Sequence, residues 1–255
     1  MEKQKGLHLV YKKLGETPLE AIQRLKIDEP ESAGLPITYA GRLDPMAEGL
    51  LILLSGEEVH NKEKYNELSK TYEVEVLWGF ETDTLDVLGL VKSLDPKLIN
   101  LKVADLENAL AETVRVFEQK YPAYSSKPVE GKSLFIWARE GKLGDIEIPS
   151  HQVEIFSSKF LNRRTIIGSD LLKEIKEKID LVSGDFRQQE TISKWGEELK
   201  DRLEEEFFLD KVELEVSSGF YVRQFVYDLA KSFNENAITF HIKRTKVGEY
   251  NLANI

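Results

Sequence analysis

The sequence predicts an α+β protein. Segments that alternate with period two, of which residues 71–78 are the clearest, interleave with segments of helical period such as 103–117 and 222–233. The apolar run Leu50-Leu51-Ile52-Leu53-Leu54 has the length of a buried strand. The 255 residues are 41% hydrophobic and 31% charged, an ordinary composition with enough apolar residues to bury a full core.

In chain order, residues 7–11 alternate as a first strand and 12–16 turn. Thr17-Pro18-Leu19-Glu20 is a capping box with proline at the first helical position, and Leu19, Ile22 and Leu25 follow at helical spacing. Residues 28–38, rich in Asp, Glu, Pro, Ser and Gly, read as a loop. The loop continues through Tyr39-Ala40-Gly41-Arg42-Leu43-Asp44-Pro45-Met46-Ala47-Glu48-Gly49 and enters the apolar run. Pro45 lacks a backbone donor and pushes Asp44 toward an extended conformation, so one carboxylate sits on a stiff loop anchored by a core strand. A scaffold presents a reactive group in this way.

Residues 59–68 are polar with helical spacing and predict a surface helix. Residues 71–78 put Tyr72, Val74, Val76 and Trp78 on one face and Glu73 and Glu75 on the other. The stretch 79–89 carries Thr82, Asp83, Thr84 and Asp86. It reads as a hydrogen-bonded turn that shapes the site, because too few oxygen ligands stand at the spacing of a calcium loop. Residues 103–117 are amphipathic, with Leu106, Ala109, Leu110, Thr113 and Phe117 on one side. Residues 119–142 add Tyr124, Lys127, Lys132, Arg139 and Lys142, a basic, aromatic-bearing stretch suited to phosphate contact and base stacking. Residues 146–156 read as one or two short strands.

Residues 169–206 predict an inserted helical hairpin that turns at Ser183-Gly184-Asp185. Leu172, Ile175, Ile179 and Val182 mark one helix; Ile192, Trp195, Leu199 and Leu203 mark the other. The hairpin reads as decoration on the fold. A strand at 212–216 then leads through Ser217-Ser218-Gly219-Phe220-Tyr221-Val222-Arg223 into a helix whose apolar face holds Val222, Phe225, Val226, Leu229 and Phe233. Residues 240–248 form the last strand.

Composition narrows the function. No apolar run approaches a membrane span, and Met1-Glu2-Lys3-Gln4-Lys5 leads into no signal-peptide core. There are no cysteines, and the four histidines show no ligand spacing. A cytoplasmic protein with no membrane contact and no bound metal is expected. The net charge of −10 argues against a general nucleic-acid binder, but residues 169–206 hold seven Lys/Arg against twelve Asp/Glu. That segment carries half the excess, so the rest of the chain has room for a local basic face.

Four of these stretches, in order, resemble the motifs of the TruB family of RNA pseudouridine synthases. They are the Asp44 loop; Lys70 and Tyr72 followed by a fully matched Gly-x-x-Thr-Asp-Thr-x-Asp-x-x-Gly through Gly89; the Tyr124-Ser125-Ser126-Lys127 segment; and Ser217 through Leu229. Lys12 matches the lysine of the family's first motif, with Lys13 in place of its proline, and 240–248 is similar to its closing strand. Departures are Ser126 for alanine, Val222 for isoleucine, Phe135 one residue from the expected aromatic, and Tyr39 where many members carry a histidine that helps expel the target base.

The resemblance implies a pseudouridine synthase fold: a mixed, largely antiparallel sheet with flanking helices and a central cleft. It implies one catalytic domain over 1–255, with the 169–206 insertion and no C-terminal PUA domain. It implies isomerisation of uridine to pseudouridine in the T arm of tRNA, at position 55, by a monomer that needs no cofactor. Asp44 would be the nucleophile, Tyr72 would stack on the base and assist proton transfer, and Arg223 would pair with Asp44. Lys12, Tyr39, Arg42, Tyr124, Lys127 and Tyr221 would contact the substrate. A guanidinium beside a carboxylate favours the charged form and fixes its orientation, which fits those roles. Two alternatives stand beside this reading. One is a catalytically inactive RNA-binding or tRNA-folding module of the same fold. The other is a hydrolase pairing Asp44 with Asp83 or Asp86 across the cleft.

Overall fold

The computed structural model describes residues 6–94 and 101–255, so the charged opening Met1–Lys5 lies outside the described residues. The chain runs β1 (Leu7–Lys12), α1 (Pro18–Asp28), β2 (Ile37–Ala40), β3 (Ala47–Ser55), α2 (Lys62–Asn66), β4 (Lys70–Trp78), β5 (Phe80–Thr82) and β6 (Val91–Leu94). It continues with α3 (Val103–Glu112), β7 (Val116–Lys120), β8 (Pro128–Val129), β9 (Lys132–Ser133), α4 (Leu134–Arg139) and β10 (Ser150–Ile167). Last come α5 (Gly168–Asp180), α6 (Gln188–Leu199), β11 (Glu206–Val216), α7 (Val222–Ser232), β12 (Ala237–Val247) and β13 (Tyr250–Asn251).

Nine strands form one sheet in the order β1-β3-β12-β4-β11-β10-β7, with β2 beside β3 and β13 beside β12. Its pairings are antiparallel except β12 on β3, which run parallel with Ile242 opposite Ala47 and Arg244 opposite Gly49. The sheet is therefore mixed and largely antiparallel, as expected.

Several elements follow directly from their residues. The predicted capping box closes α1: the Thr17 hydroxyl accepts from Glu20 N and the Glu20 carboxylate accepts from Thr17 N. The alternation of 70–78 places Tyr72, Val74, Val76 and Trp78 in one cluster with Val212, Leu214 and Val216 of β11, Val226 and Leu229 of α7, and Leu106 and Leu110 of α3.

Other elements differ from expectation for local reasons. The loop read over 28–49 contains β2, so Tyr39 and Ala40 are strand residues paired with Leu53 and Ile52. Residues 59–68 form a 3₁₀ turn (Gly56–Asn61) and then the short α2. Residues 79–94 form a small hairpin, β5 with β6. Helix α3 stops at Glu112: the Thr113 hydroxyl bonds back to Leu110 O at 2.6 Å, and Val116–Lys120 instead pairs with β10. Strand β10 runs for 18 residues. Register shifts after Ile155 and Phe160 break its alternation, which hid the strand beyond Phe156.

The pair α5–α6 is not decoration. Leu171, Ile175 and Ile179 of α5 and Trp195 and Leu199 of α6 are wholly buried. They share a second cluster with Leu77, Leu209, Ile238 and Phe240 of the sheet and with Phe80, Val87, Leu88 and Val91 of the small hairpin. The helices cover the sheet face opposite α3 and α7, and each such large apolar side chain contributes about 1.5–3 kcal/mol. Trp195 Nε1 also donates to Val87 O at 3.0 Å, and Thr191 Oγ1 to Leu88 O at 3.2 Å.

Candidate active site

The loop between β2 and β3 holds Asp44 over a floor of buried cations. Arg244, on β12, donates from Nε to Leu50 O at 2.7 Å and from Nη2 to Gly41 O at 2.9 Å. Lys12 donates to Ala47 O at 2.5 Å, and Lys70 donates to Asn66 O and Leu68 O at 2.5 and 2.6 Å. Asn66 in turn accepts Gly41 N at 2.8 Å. Burial pulls the Lys12 and Lys70 ammonium groups down to about 8, with the nearby acids Glu16 and Asp44 opposing it at Lys12. Gly49 lets β12 come this close, since a Cβ there would lie 2.2 Å from Arg244 O. Leu43 and Met46, buried on either side, fix the loop to the two cores.

Arg223 enters from the first turn of α7, about 5% exposed. Its Nε and Nη2 both meet Oδ2 of Asp44, at 2.8 and 2.7 Å. Oδ1 is left without a donor among the described residues, and the Asp44 side chain is 36% exposed. The remaining guanidinium donors go to Thr84 O at 2.7 Å and Tyr124 O at 3.3 Å. Behind Arg223 lies Asp86, with Oδ2 3.8 Å from Arg223 Nε. Asp86 accepts from Thr84 Oγ1 at 2.5 Å and Leu88 N at 3.0 Å. Burial raises Asp86 to about 6 against the pull of Arg223 and Thr84. Burial also opposes the Arg223 charge, but Asp44 and Asp86 outweigh it and hold its pKa above the ordinary value.

The other sequence-predicted residues divide. Tyr72, only 7% exposed, lies on central β4 in the cluster that includes Leu43 and Ala47, which flank Asp44 in sequence. Tyr221 is the residue before α7; burial, then the Asp44 charge, raises its pKa, and its backbone N and O are clasped by the Gln119 amide. Tyr124 donates to Asp83 Oδ2 at 2.8 Å, and burial followed by Asp83 pushes it up to about 12. Lys127 lies over the Tyr121 ring at 4.9 Å, and Tyr121 stacks on His151. Arg42 is an exposed residue of the loop, two positions before Asp44. Tyr39 packs instead against the cluster under α1, with Lys62 over its ring at 5.3 Å. Lys12 is fully buried and does not reach the cleft surface.

The sequence reading of 79–89 as a hydrogen-bonded turn included Asp86 but did not foresee its place behind Arg223, and neither Lys70, which also stood in a matched motif, nor Arg244 was given a part in holding the site. Nothing in the sequence pointed to Arg187, which meets Asp83 Oδ2 at 2.8 Å. Asp83 and Asp86 are committed to these partners, and neither stands as a free carboxylate facing Asp44, which removes the geometric basis of the hydrolase alternative. No three His, Cys, Asp or Glu side chains converge as a metal site among the described residues. The arrangement is a single open carboxylate, oriented through one oxygen and free at the other, suited to nucleophilic attack or proton abstraction.

Residues 35–178 match the family described as TruB family pseudouridylate synthase (N terminal domain). A Caldicellulosiruptor saccharolyticus protein named tRNA pseudouridine synthase B is 34% identical over 157 residues, 62% of this chain and 52% of that protein. The like-named protein of Malacoplasma penetrans is 26% identical over 219 residues, 85% of this chain and 75% of the relative. That of Borreliella burgdorferi is 27% identical over 247 residues, 97% of this chain and 71% of the relative. The match to the Caldicellulosiruptor protein spans about half of that protein's length. The fold is similar to that in a crystal structure of a Cbf5-Nop10-Gar1 complex, with TM-score 0.58 and 12% identity over 97% of this chain and 50% of the other. It is also similar to that in an H/ACA RNP bound to a substrate RNA containing 2'-deoxyuridine, with TM-score 0.55 and 11% identity over 97% and 49%.

Proposed function

The chain belongs to the TruB family of pseudouridylate synthases, and from that premise we propose that it isomerises uridine to pseudouridine in tRNA, at position 55 of the T loop. The observation that carries this reading is the Asp44–Arg223 pair: an exposed carboxylate held through one oxygen by a buried guanidinium. The target uridine leaves its stack to reach Asp44, as chemistry on a base requires. Asp44 attacks the nucleotide and is released again as the new bond to C5 forms, or triggers glycosidic cleavage through its sugar without a lasting bond. The N1–C1' bond breaks, the uracil turns, and a C5–C1' bond forms. The C5 proton is lost and N1 gains one, so atoms balance without a cofactor.

Arg223 orients Asp44 throughout. Tyr72 borders the base and assists removal of the C5 proton. Tyr221, Tyr124, Lys127 and Arg42 line the approach of the RNA strand. The enzyme acts as a cytoplasmic monomer. Among the described residues no helix is long and apolar enough to cross a membrane.

The test is direct. Unmodified tRNA transcript is incubated with the protein and pseudouridine is mapped. Wild type is expected to convert position 55, and Asp44→Ala to convert nothing. Conversion at another uridine would correct the site. No conversion by a folded wild-type protein that still binds tRNA would make it an RNA-binding module instead.

A further inference from the structure

Arg187 lies in the segment that joins α5 to α6, far in sequence from every motif of the site. Its Nη1 meets Asp83 Oδ2 at 2.8 Å, and its guanidinium carbon sits 5.1 Å over the Tyr124 ring. Tyr124 donates its hydroxyl to the same Asp83 oxygen at 2.8 Å. One cation thus fastens two loops together through Asp83 and Tyr124. The same two loops supply the carbonyls that hold Arg223, Thr84 O at 2.7 Å and Tyr124 O at 3.3 Å. We propose that Arg187 is a positioning residue for the Asp44–Arg223 pair, and that the α5–α6 hairpin is a built-in brace of the active site.

Four further observations support this. The backbone of Arg187 is left-handed, with φ +60°, a conformation that strains any residue with a Cβ and is kept where the surroundings demand it. Gln188 fixes that bend by donating to Val182 O and Gly184 O at 2.9 and 2.7 Å. The hairpin also reaches the start of β3, which follows the Asp44 loop, for Lys178 of α5 bonds His241 at 3.2 Å and His241 bonds Glu48 at 3.1 Å. The side chains of Arg187 and Asp83 are 21% and 14% exposed, so the pair is shielded enough to hold its geometry.

The inference rests on the activity proposed above, so the experiment reads both activity and structure. Multiple-turnover kinetics on unmodified tRNA are measured for wild type, R187A, R187K and R187G, with hydrogen exchange on the free proteins. R187A is expected to lower kcat about ten- to hundred-fold with KM little changed, as misplacement of a catalytic group does. R187K, which keeps the charge but not the planar face on Tyr124, should recover part of the loss. R187G relieves the left-handed strain and so keeps or raises Tm, yet should lose kcat like R187A. K194A, at an exposed ion pair of α6, should match wild type. In R187A and R187G the segments 82–88 and 122–126 should exchange faster while α5 and α6 stay protected. A raised KM with kcat intact would make Arg187 an RNA contact and overturn the proposal, as would unchanged exchange in those two segments. If wild type makes no pseudouridine, the activity reading fails, and the exchange data still decide the brace.

Discussion

Arg223 answers to two carboxylates in opposite circumstances. Asp44 is open to the cleft, whereas Asp86 is about 5% exposed and raised to about 6 by burial. Because its folded value lies above the ordinary 3.8, the folded chain holds the Asp86 proton more tightly than the unfolded chain does between pH 3.8 and about 6. The stabilisation this gives is complete below pH 3.8 and lost as pH climbs through 6. Urea unfolding of wild type and Asp86→Asn across that range should therefore show wild type losing ground to the variant as pH rises. A flat difference would refute the burial argument. The pairing of Asp44 with Arg223 was expected because each stands inside a stretch that resembles a family motif; by residue type alone Asp44 reads as a turn residue and Arg223 as a helix-end charge. The burial of Lys12 was not expected. A lysine after a strand reads as solvated, and its burial depends on Ala47 O, brought by a loop 35 residues away.

At the scale of elements, the α5–α6 pair stabilises as well as braces. Trp195 is wholly buried, touches Phe80 with ring centroids 5.1 Å apart and bonds Val87 O. Trp195→Ala should cost about 3–5 kcal/mol in denaturant unfolding. A loss under 1 kcal/mol would mean the helices are peripheral after all. Helical period at Ile175, Ile179, Trp195 and Leu199 revealed both helices in sequence, but period says nothing about what a face covers. Short strands were the least legible elements. β5 and β6 are residues that only become strands by pairing with each other, and Val116–Lys120 becomes one because the start of β10 lies beside it. β-strand preference is mostly a property of neighbours, so it escapes a reading of one segment at a time.

For the molecule as a whole, charge and topology set the behaviour. The net charge of −10 opposes approach to RNA, and the 169–206 segment carries half of it. Neutralising three exposed acids there, Glu197→Gln, Asp201→Asn and Glu204→Gln, should speed tRNA association at low salt. The gain should shrink as salt rises from about 0.01 to 0.1 M, where the screening length falls from about 30 to about 10 Å. A gain independent of salt would point to a direct contact. The sheet order was not readable from periodicity, because strands far apart in sequence pair in it. The parallel pairing of β12 on β3 joins Ile242 to Ala47, and Arg244 reaches back to Gly41 O across 203 residues. A ribosome making this chain from its N-terminus exposes the nucleophile's loop long before its floor exists. The activity proposed for Asp44 therefore requires that translation has passed Val247 and that this strand has left the exit tunnel, since only then does the loop gain the Arg244 contacts to Leu50 O and Gly41 O.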